Sequence, residues 1–396
     1  MDFDKIANAR RNIRLYPILK VFNKRVFVPI IPIYYTEYVG FSIPELGLLA
    51  AFAALANMLM NVPAGYIADR FGRSRALRIS AMALMLATVF FFAMPTQLGI
   101  IIGVALEAIG FAFISGAGES LVHDSLGVIE RPHDYSKVLS RAQSIALLVN
   151  AALVALVPIT YIIDPRMPFA IGTLAFLVML VAAYYMHDVG DRVSPRRIVL
   201  RWPGFGSLRR ISSNSKLLIA VMLFGVVGAI YFSFDIITIG LREYGIQPQY
   251  LGWIYSAASV FGALLGLVIH HLKRLSLSAY LVLDVSILLL LFTVGYMGNV
   301  WLLAAAAIVS ISFWRYRRII YQDHLLSRYS TGYKTTLLSV MNTTESLNTL
   351  WVPIVTTGTV GAFGVSNGFG LLAVGTFFVA VIYVIAMRRA FLRRGA

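Results

Sequence analysis

The sequence predicts an all-α integral membrane protein, with twelve transmembrane helices arranged as two pseudo-symmetric bundles of six. Three observations predict it. Of the 396 residues, 59% are hydrophobic and 13% charged, whereas a soluble domain carries about 25% charged residues. Apolar runs of roughly 20 residues, long enough to cross a bilayer as a helix, recur along the whole chain. Outside those runs, the lysines and arginines crowd into alternate gaps, and only Arg166 and Arg242 fall in the others. That asymmetry is the one that keeps cationic loops in the cytoplasm.

Taken in order, charges and turn residues bound spans near 12–38, 43–67, 75–95, 98–122, 136–159, 167–187, 215–240, 250–270, 276–297, 299–325, 335–359 and 364–388. The first and the tenth carry charges inside. "HDVGDRVSPRRIVLRWPGFGSLRRISSNSK" (187–216) is the longest polar stretch and lies near the midpoint. The expected organisation is a bundle over 1–187, a cytoplasmic linker over 188–214 and a second bundle over 215–396. With the N-terminus inside, both termini face the cytoplasm, and the expected location is the plasma membrane. The polar start "MDFDKIANARRNIR" leads into Lys20, Lys24 and Arg25, which is not a signal-peptide core.

Composition also excludes functions. The net charge of +16 is spread over short gaps rather than a separable basic domain, so a nucleic-acid partner is not expected. There is no cysteine, hence no disulfide and no thiolate metal site. "STGYKTT" (330–336) has the lysine of a phosphate-binding loop without its glycine spacing, so ATP is not the expected energy source. "HDSL" (123–126) comes without a G-x-S-x-G elbow or an H-E-x-x-H pair, so a membrane enzyme has little support. No cofactor or metal is expected.

The halves share traces of a repeat at an offset of about 200 residues, a common plan for transporters. Asp124 aligns with Asp323, and "VLS" (138–140) aligns with "LLS" (337–339). "GYIADRFGR" (65–73) aligns with "GLVIHHLKR" (266–274), where His270 replaces the aspartate. "GYIADRFGR" also resembles the loop after the second helix of the major facilitator superfamily, G-x-x-x-D-R-x-G-R-[KR], through Gly65, Asp69, Arg70, Gly72 and Arg73. "SGAGESLVHDSL" (115–126) and "YKTTLLS" (333–339) resemble patterns of one transporter branch of that superfamily, with His123 for a tyrosine and Lys334 for an arginine. Asn61 stands where the branch has glutamate. The resemblance implies a secondary transporter working by alternating access, with protons as the expected coupling ion. The expected cargo is a small organic solute, anionic or amphipathic, moved with protons by a monomer in the lipid bilayer. A proton antiporter for hydrophobic compounds is the alternative, and a membrane enzyme or non-transporting receptor stands behind it.

Charges inside spans are costly, so they mark cavities or partners. Along a continuous helix Arg25 lies about 16 Å above Arg14, near mid-membrane, with Lys24 beside it and Tyr34 farther along. Lys20 is shallower and is expected to snorkel. Glu345 sits at about the same height above Lys334, on a polar helix with Asn342. Arg315 and Arg318 share a face of the tenth span while Arg317 points elsewhere. Glu119 and His123, at i and i+4, can pair directly, with Asp124 adjacent and Arg141 as a natural partner; a gate, a proton relay or a static lock would each suit the group. Glu107, Asp235 and Asp284 are single acids in apolar spans, read either as proton sites or as paired structural groups. In the 65–73 turn, Asp69 is expected to bind a helix start or an arginine, and Gly65 to permit close helix approach, together latching the halves.

Overall fold

The computed structural model describes residues 3–189, 215–272, 277–328 and 334–391. The linker beyond residue 189, and the side chains of His270, Asp323 and Lys334, lie outside the described residues. Every described element is helical. Among the described residues, seven stretches are long and apolar enough to cross a membrane: Ile43–Phe71, Arg73–Ala93, Gln97–Val128, Pro132–Ile162, Met167–Tyr185, Val221–Glu243 and Val365–Ile385. The chain divides into two compact units.

The first unit holds the residues up to Gly40, those from Phe52 to the linker, and Pro248–Trp253. Helix α1, Phe3–Phe22, stops early. A 3-10 turn follows at Val28–Ile30, and a π-helix at Tyr34–Val39. The expected unbroken first span is therefore interrupted, and the height assigned to Arg25 on a continuous helix does not hold. The reason is local: Pro29 has no N–H to give the Arg25 carbonyl, and its ring crowds that carbonyl, so the turn before it cannot stay α-helical.

Next come α2 (Ile43–Phe71), α3 (Arg73–Ala93), α4 (Gln97–Ile114) and α5 (Ala117–Val128). After them lie α6 (Tyr135–Leu156) and α7 (Met167–Tyr185). Helices in lipid gain nothing from excluding water between them, so close packing and internal hydrogen bonds hold them together. Gly103 leaves room for Phe91, and Gly110 for Leu84, where α4 lies on α3. Ser80 Oγ donates to the Gly110 carbonyl at 2.7 Å across the same seam. Thr173 of α7 donates to Thr88 of α3 at 3.0 Å. Phe27, Tyr34, Phe91 and Phe169 stack in the core, with ring centroids 4.3–5.7 Å apart along the chain of contacts.

Outside the spans, Arg166 donates from its side chain and backbone to Asp164, which holds that carboxyl below the usual carboxylate range. This stabilisation is complete above the unfolded-state pKa and is lost as pH falls through the lower folded one.

The second unit contains Phe41–Ala51 at the start of α2, then α8 (Ser215–Phe232), α9 (Phe234–Glu243), α10 (Pro248–Leu272) from Ile254 onward, α11 (Leu277–Met297) and α12 (Val300–Arg328). It ends with α13 (Lys334–Asn348), α14 (Val352–Phe363) and α15 (Val365–Phe391). Two spans expected to be continuous are broken here. Ser233 separates α8 from α9, and residues 349–351 separate α13 from α14. Pro353, near the start of α14, cannot donate back to Thr349, which accounts for the second break. The core is aromatic, built on Phe224, Tyr231, Tyr280, Phe313, Tyr321 and Tyr383.

Candidate functional site

In the first unit, the interrupted α1 faces a second interruption. Helix α4 ends at Ile114 and α5 begins at Ala117, with Gly116 between them at φ 73°. L-residues other than glycine, asparagine and aspartate rarely take that conformation, so Gly116 permits the break. The span expected to be continuous over 98–122 is therefore interrupted. A pocket of about 170 Å³ opens at the break, lined by Tyr16, Lys20, Asn23, Ser115, Gly118 and Glu119. Broken helices at a cavity free backbone and side-chain groups for binding.

The charges at this break pair differently from the sequence expectation. Glu119 accepts from Lys20 Nζ at 2.6 Å and from the Tyr16 hydroxyl at 3.2 Å. Lys20 thus turns inward to a carboxylate instead of snorkelling, because that acid is within reach of its stem. His123 is exposed and meets Tyr135 edge-on at 5.5 Å. It approaches Asp124 at 3.8 Å. Asp124 in turn pairs with Arg73, which also donates to the Ser120 carbonyl at 2.9 Å. Arg141 is exposed, as is Lys24.

One turn beyond α1, Arg25 Nη1 lies 3.2 Å from Glu107 Oε2, and its guanidinium sits over the Phe111 ring at 5.4 Å. Glu107 is buried at 8% side-chain exposure, while Arg25 keeps 35%. Glu107 Oε1 and Asn23 Oδ1 are buried without a hydrogen-bond partner. Tyr34, by contrast, belongs to the core. It is fully buried and donates to the Phe91 carbonyl at 2.6 Å, so it does not line a solute path here.

The 65–73 turn also differs from expectation. Gly65 has open space where a Cβ would be, so no close helix approach requires it. Gly72 carries the constraint: its φ is 107°, and a Cβ there would meet the Asp188 carboxylate. That carboxylate caps α3 by accepting from Ser74 N at 3.0 Å and Ser74 Oγ at 2.7 Å. Asp188 therefore takes the helix-start role expected of Asp69, which is exposed. Arg70 packs over Tyr66 and Phe71. Arg78 donates to the carbonyls of Ala183, Tyr184 and Met186, closing the end of α7. Buried Asn12 donates to Ser125 Oγ at 3.0 Å and the His187 carbonyl at 2.8 Å, and accepts from His187 N at 3.0 Å. Nothing in the local pattern marks Asn12 or Asp188, since their partners lie more than a hundred residues away.

In the second unit, Arg318 pairs with Glu345 at 3.7 Å and donates to Asn342, so three expected site residues do meet. Arg315 donates instead to Ser259 at 3.3 Å and belongs to a different patch. The arginine that sequence spacing set aside, Arg317, is the buried one. Its Nε contacts both Asp284 oxygens at 2.8 Å, and its Nη2 donates to the Phe224 carbonyl at 2.9 Å. The Phe224 ring lies 4.0 Å below it, and Tyr383 donates to Asp284 at 3.4 Å. Among the described residues, no three His, Cys, Asp or Glu side chains gather as a metal site.

The fold has solved counterparts. The nucleoside transporter NupG superposes with TM-score 0.81 at 12% identity, covering 96% of this chain and 99% of that one. The POT family transporter PepTSo gives 0.70 at 13% identity, over 98% and 97%. A bacterial homologue of the human lysosomal transporter Spinster, crystallised inward-facing and unoccupied, gives 0.66 at 16% identity, over 99% and 98%. At these identities the likeness is one of fold. No curated protein matches in sequence. The Major Facilitator Superfamily family model matches residues 18–353. With most of the chain inside that match, and multiple apolar helices to carry it through the bilayer, this is a multi-pass membrane transporter rather than an enzyme, and it belongs to the major facilitator superfamily.

Proposed function

We propose that the protein is a proton-coupled secondary transporter for a small organic anion or amphiphile, working by alternating access in the plasma membrane with both termini in the cytoplasm. One observation carries the reading: Arg25 keeps a third of its side chain exposed at a helix break while it pairs with a buried acid. A cation held this way is available to an anionic solute and still has a counter-charge when the solute leaves. Lys20 beside the pocket, and Arg318 with Asn342 in the second unit, extend the basic character. The 65–73 turn serves as the gating element, with Asp69 exposed for a state-dependent partner and Arg73 anchored to Asp124.

Uptake into proteoliposomes under an imposed pH gradient tests the function. A panel of radiolabelled mono- and dicarboxylates should include one that accumulates with the gradient and stops when it is collapsed. Arg25→Ala should reduce that uptake at least tenfold, while Asp69→Asn should alter its rate and leave membrane insertion intact. Uptake unaffected by Arg25→Ala would remove the anion reading.

A further inference from the structure

Among the described residues, two acid–arginine pairs have a buried acid, Glu107 and Asp284, and their hydrogen bonding differs. Asp284 has both oxygens against Arg317 Nε and a further donor in Tyr383, and the pair is 0% and 2% exposed. Glu107 has one oxygen on Arg25 and the other, Oε1, buried with no partner. A bare carboxylate oxygen in an apolar site is unfavourable, and a proton on the carboxyl relieves the charge. The partner is also placed differently. Arg317 sits inside continuous α12, whereas Arg25 lies on the non-helical segment between α1 and the 3-10 turn, with its guanidinium part-exposed.

We propose that Glu107 and Arg25 form a proton-operated switch, in which a proton on Glu107 dissolves the ion pair and releases the Arg25 guanidinium outward. The proton comes from water and resides on the carboxyl, so no other bond is made or broken. In the deprotonated state the pair reforms and the guanidinium is withdrawn.

The surroundings leave Arg25 as the controlling charge. Among the described residues, it is the cation paired with Glu107, at 3.2 Å. On α3, the residues packed along α4 are Ser80, Leu84, Ala87 and Phe91, and the helix's charges, Arg73, Arg75 and Arg78, lie at its far end. On α2 the neighbour is Asn57, which donates to the Ala108 carbonyl at 3.2 Å, and that helix's Glu45, Asp69 and Arg70 are terminal. On α5 the first acid, Glu119, is held by Lys20. Lys24 is exposed beside Arg25.

The switch deepens the transport reading above, because an anion on Arg25 then competes with ionised Glu107 for one guanidinium. Binding of the anion and of the proton become mutually favourable, by equal factors.

Infrared difference spectroscopy on the full-length protein in liposomes, titrated with pH, tests the switch without a known cargo. The wild type should show a protonated-carboxyl band characteristic of an apolar site, which Glu107→Gln removes. Arg25→Gln should retain the band and move its titration to higher pH by about one unit or more. Should Glu107→Gln fail to insert, Glu107→Asp reports instead, by displacing the band's frequency. A band unchanged in the Glu107 variants, or indifferent to Arg25→Gln, overturns the switch. Addition of benzoate, an amphipathic carboxylate, should raise the protonated fraction in the wild type only. Spectra that follow Glu107 and Arg25 but ignore benzoate support the switch and count against the anionic cargo.

Discussion

Asp284 and Arg317 illustrate what a fully enclosed charge pair demands of its surroundings. Each is satisfied by the other, by the Phe224 carbonyl and by Tyr383, and neither reaches solvent. Removing one charge strands the other. Asp284→Asn should therefore cost about 3–5 kcal/mol, seen as loss of monodisperse protein on size exclusion or a large fall in Tm. Arg318→Gln, at a pair where Arg318 is 44% exposed, should cost less than about 1 kcal/mol. Equal losses in the two variants would refute the distinction. The sequence made the intramembrane charges easy to find, since any charge in an apolar run stands out. It could not pair them. Helical spacing correctly separated Arg317 from Arg315 and Arg318, but which face meets an acid depends on packing against α11, whose Asp284 lies 33 residues away in no fixed register. Glu119 shows the same limit: i,i+4 spacing offered His123, and the fold supplied Lys20 and Tyr16 from α1.

Helix interruptions decide where these side chains stand. Proline announces some of them: Pro29 and Pro353 each remove a helical hydrogen bond, and the breaks lie just before them. The Ser115–Gly116 and Ser233 breaks carry no such mark, because a single glycine or serine sits in many unbroken helices. The glycines themselves can be ranked by experiment. Gly116 has space for a Cβ but a φ of 73°, so Gly116→Ala should cost about 1–2 kcal/mol through backbone strain alone. Gly72→Ala should cost more, because its φ of 107° is joined by a clash with the Asp188 carboxylate that caps α3. Gly65→Ala, in open helical space, should leave Tm unchanged or raise it by the equivalent of about 0.5–1 kcal/mol. Thermal unfolding of the three variants in one detergent checks the order. If Gly65→Ala were the most destabilising, the motif's first glycine would be packed in a way the structure does not show.

For the molecule as a whole, composition was enough to give the class, because crossing a bilayer imposes both length and apolarity on each helix. Charge distribution goes further and predicts an orientation. Arg70, Arg73, Arg75 and Arg78 border one end of α3, and Arg131 and Lys137 flank the start of α6, whereas the turns at the opposite helix ends hold Arg166 and Arg242 alone among lysines and arginines. The cationic ends should face the cytoplasm. The absence of cysteine makes this directly testable, since single-cysteine variants carry no background. His133 lies in the 3-10 turn before α6, on the cationic side, and Asn299 caps α12 on the other by accepting from Trp301 N and Leu302 N at 3.1 Å. A membrane-impermeant maleimide applied to intact cells should label Asn299→Cys and spare His133→Cys until the membrane is permeabilised. The reverse pattern would invert the topology and place the basic turn 70–78 outside, where no positive-inside argument could hold it. Labelling of both in intact cells would mean a mixed population of orientations. The predicted single pattern is the one a lopsided distribution of lysine and arginine enforces during insertion, before the solute site has formed.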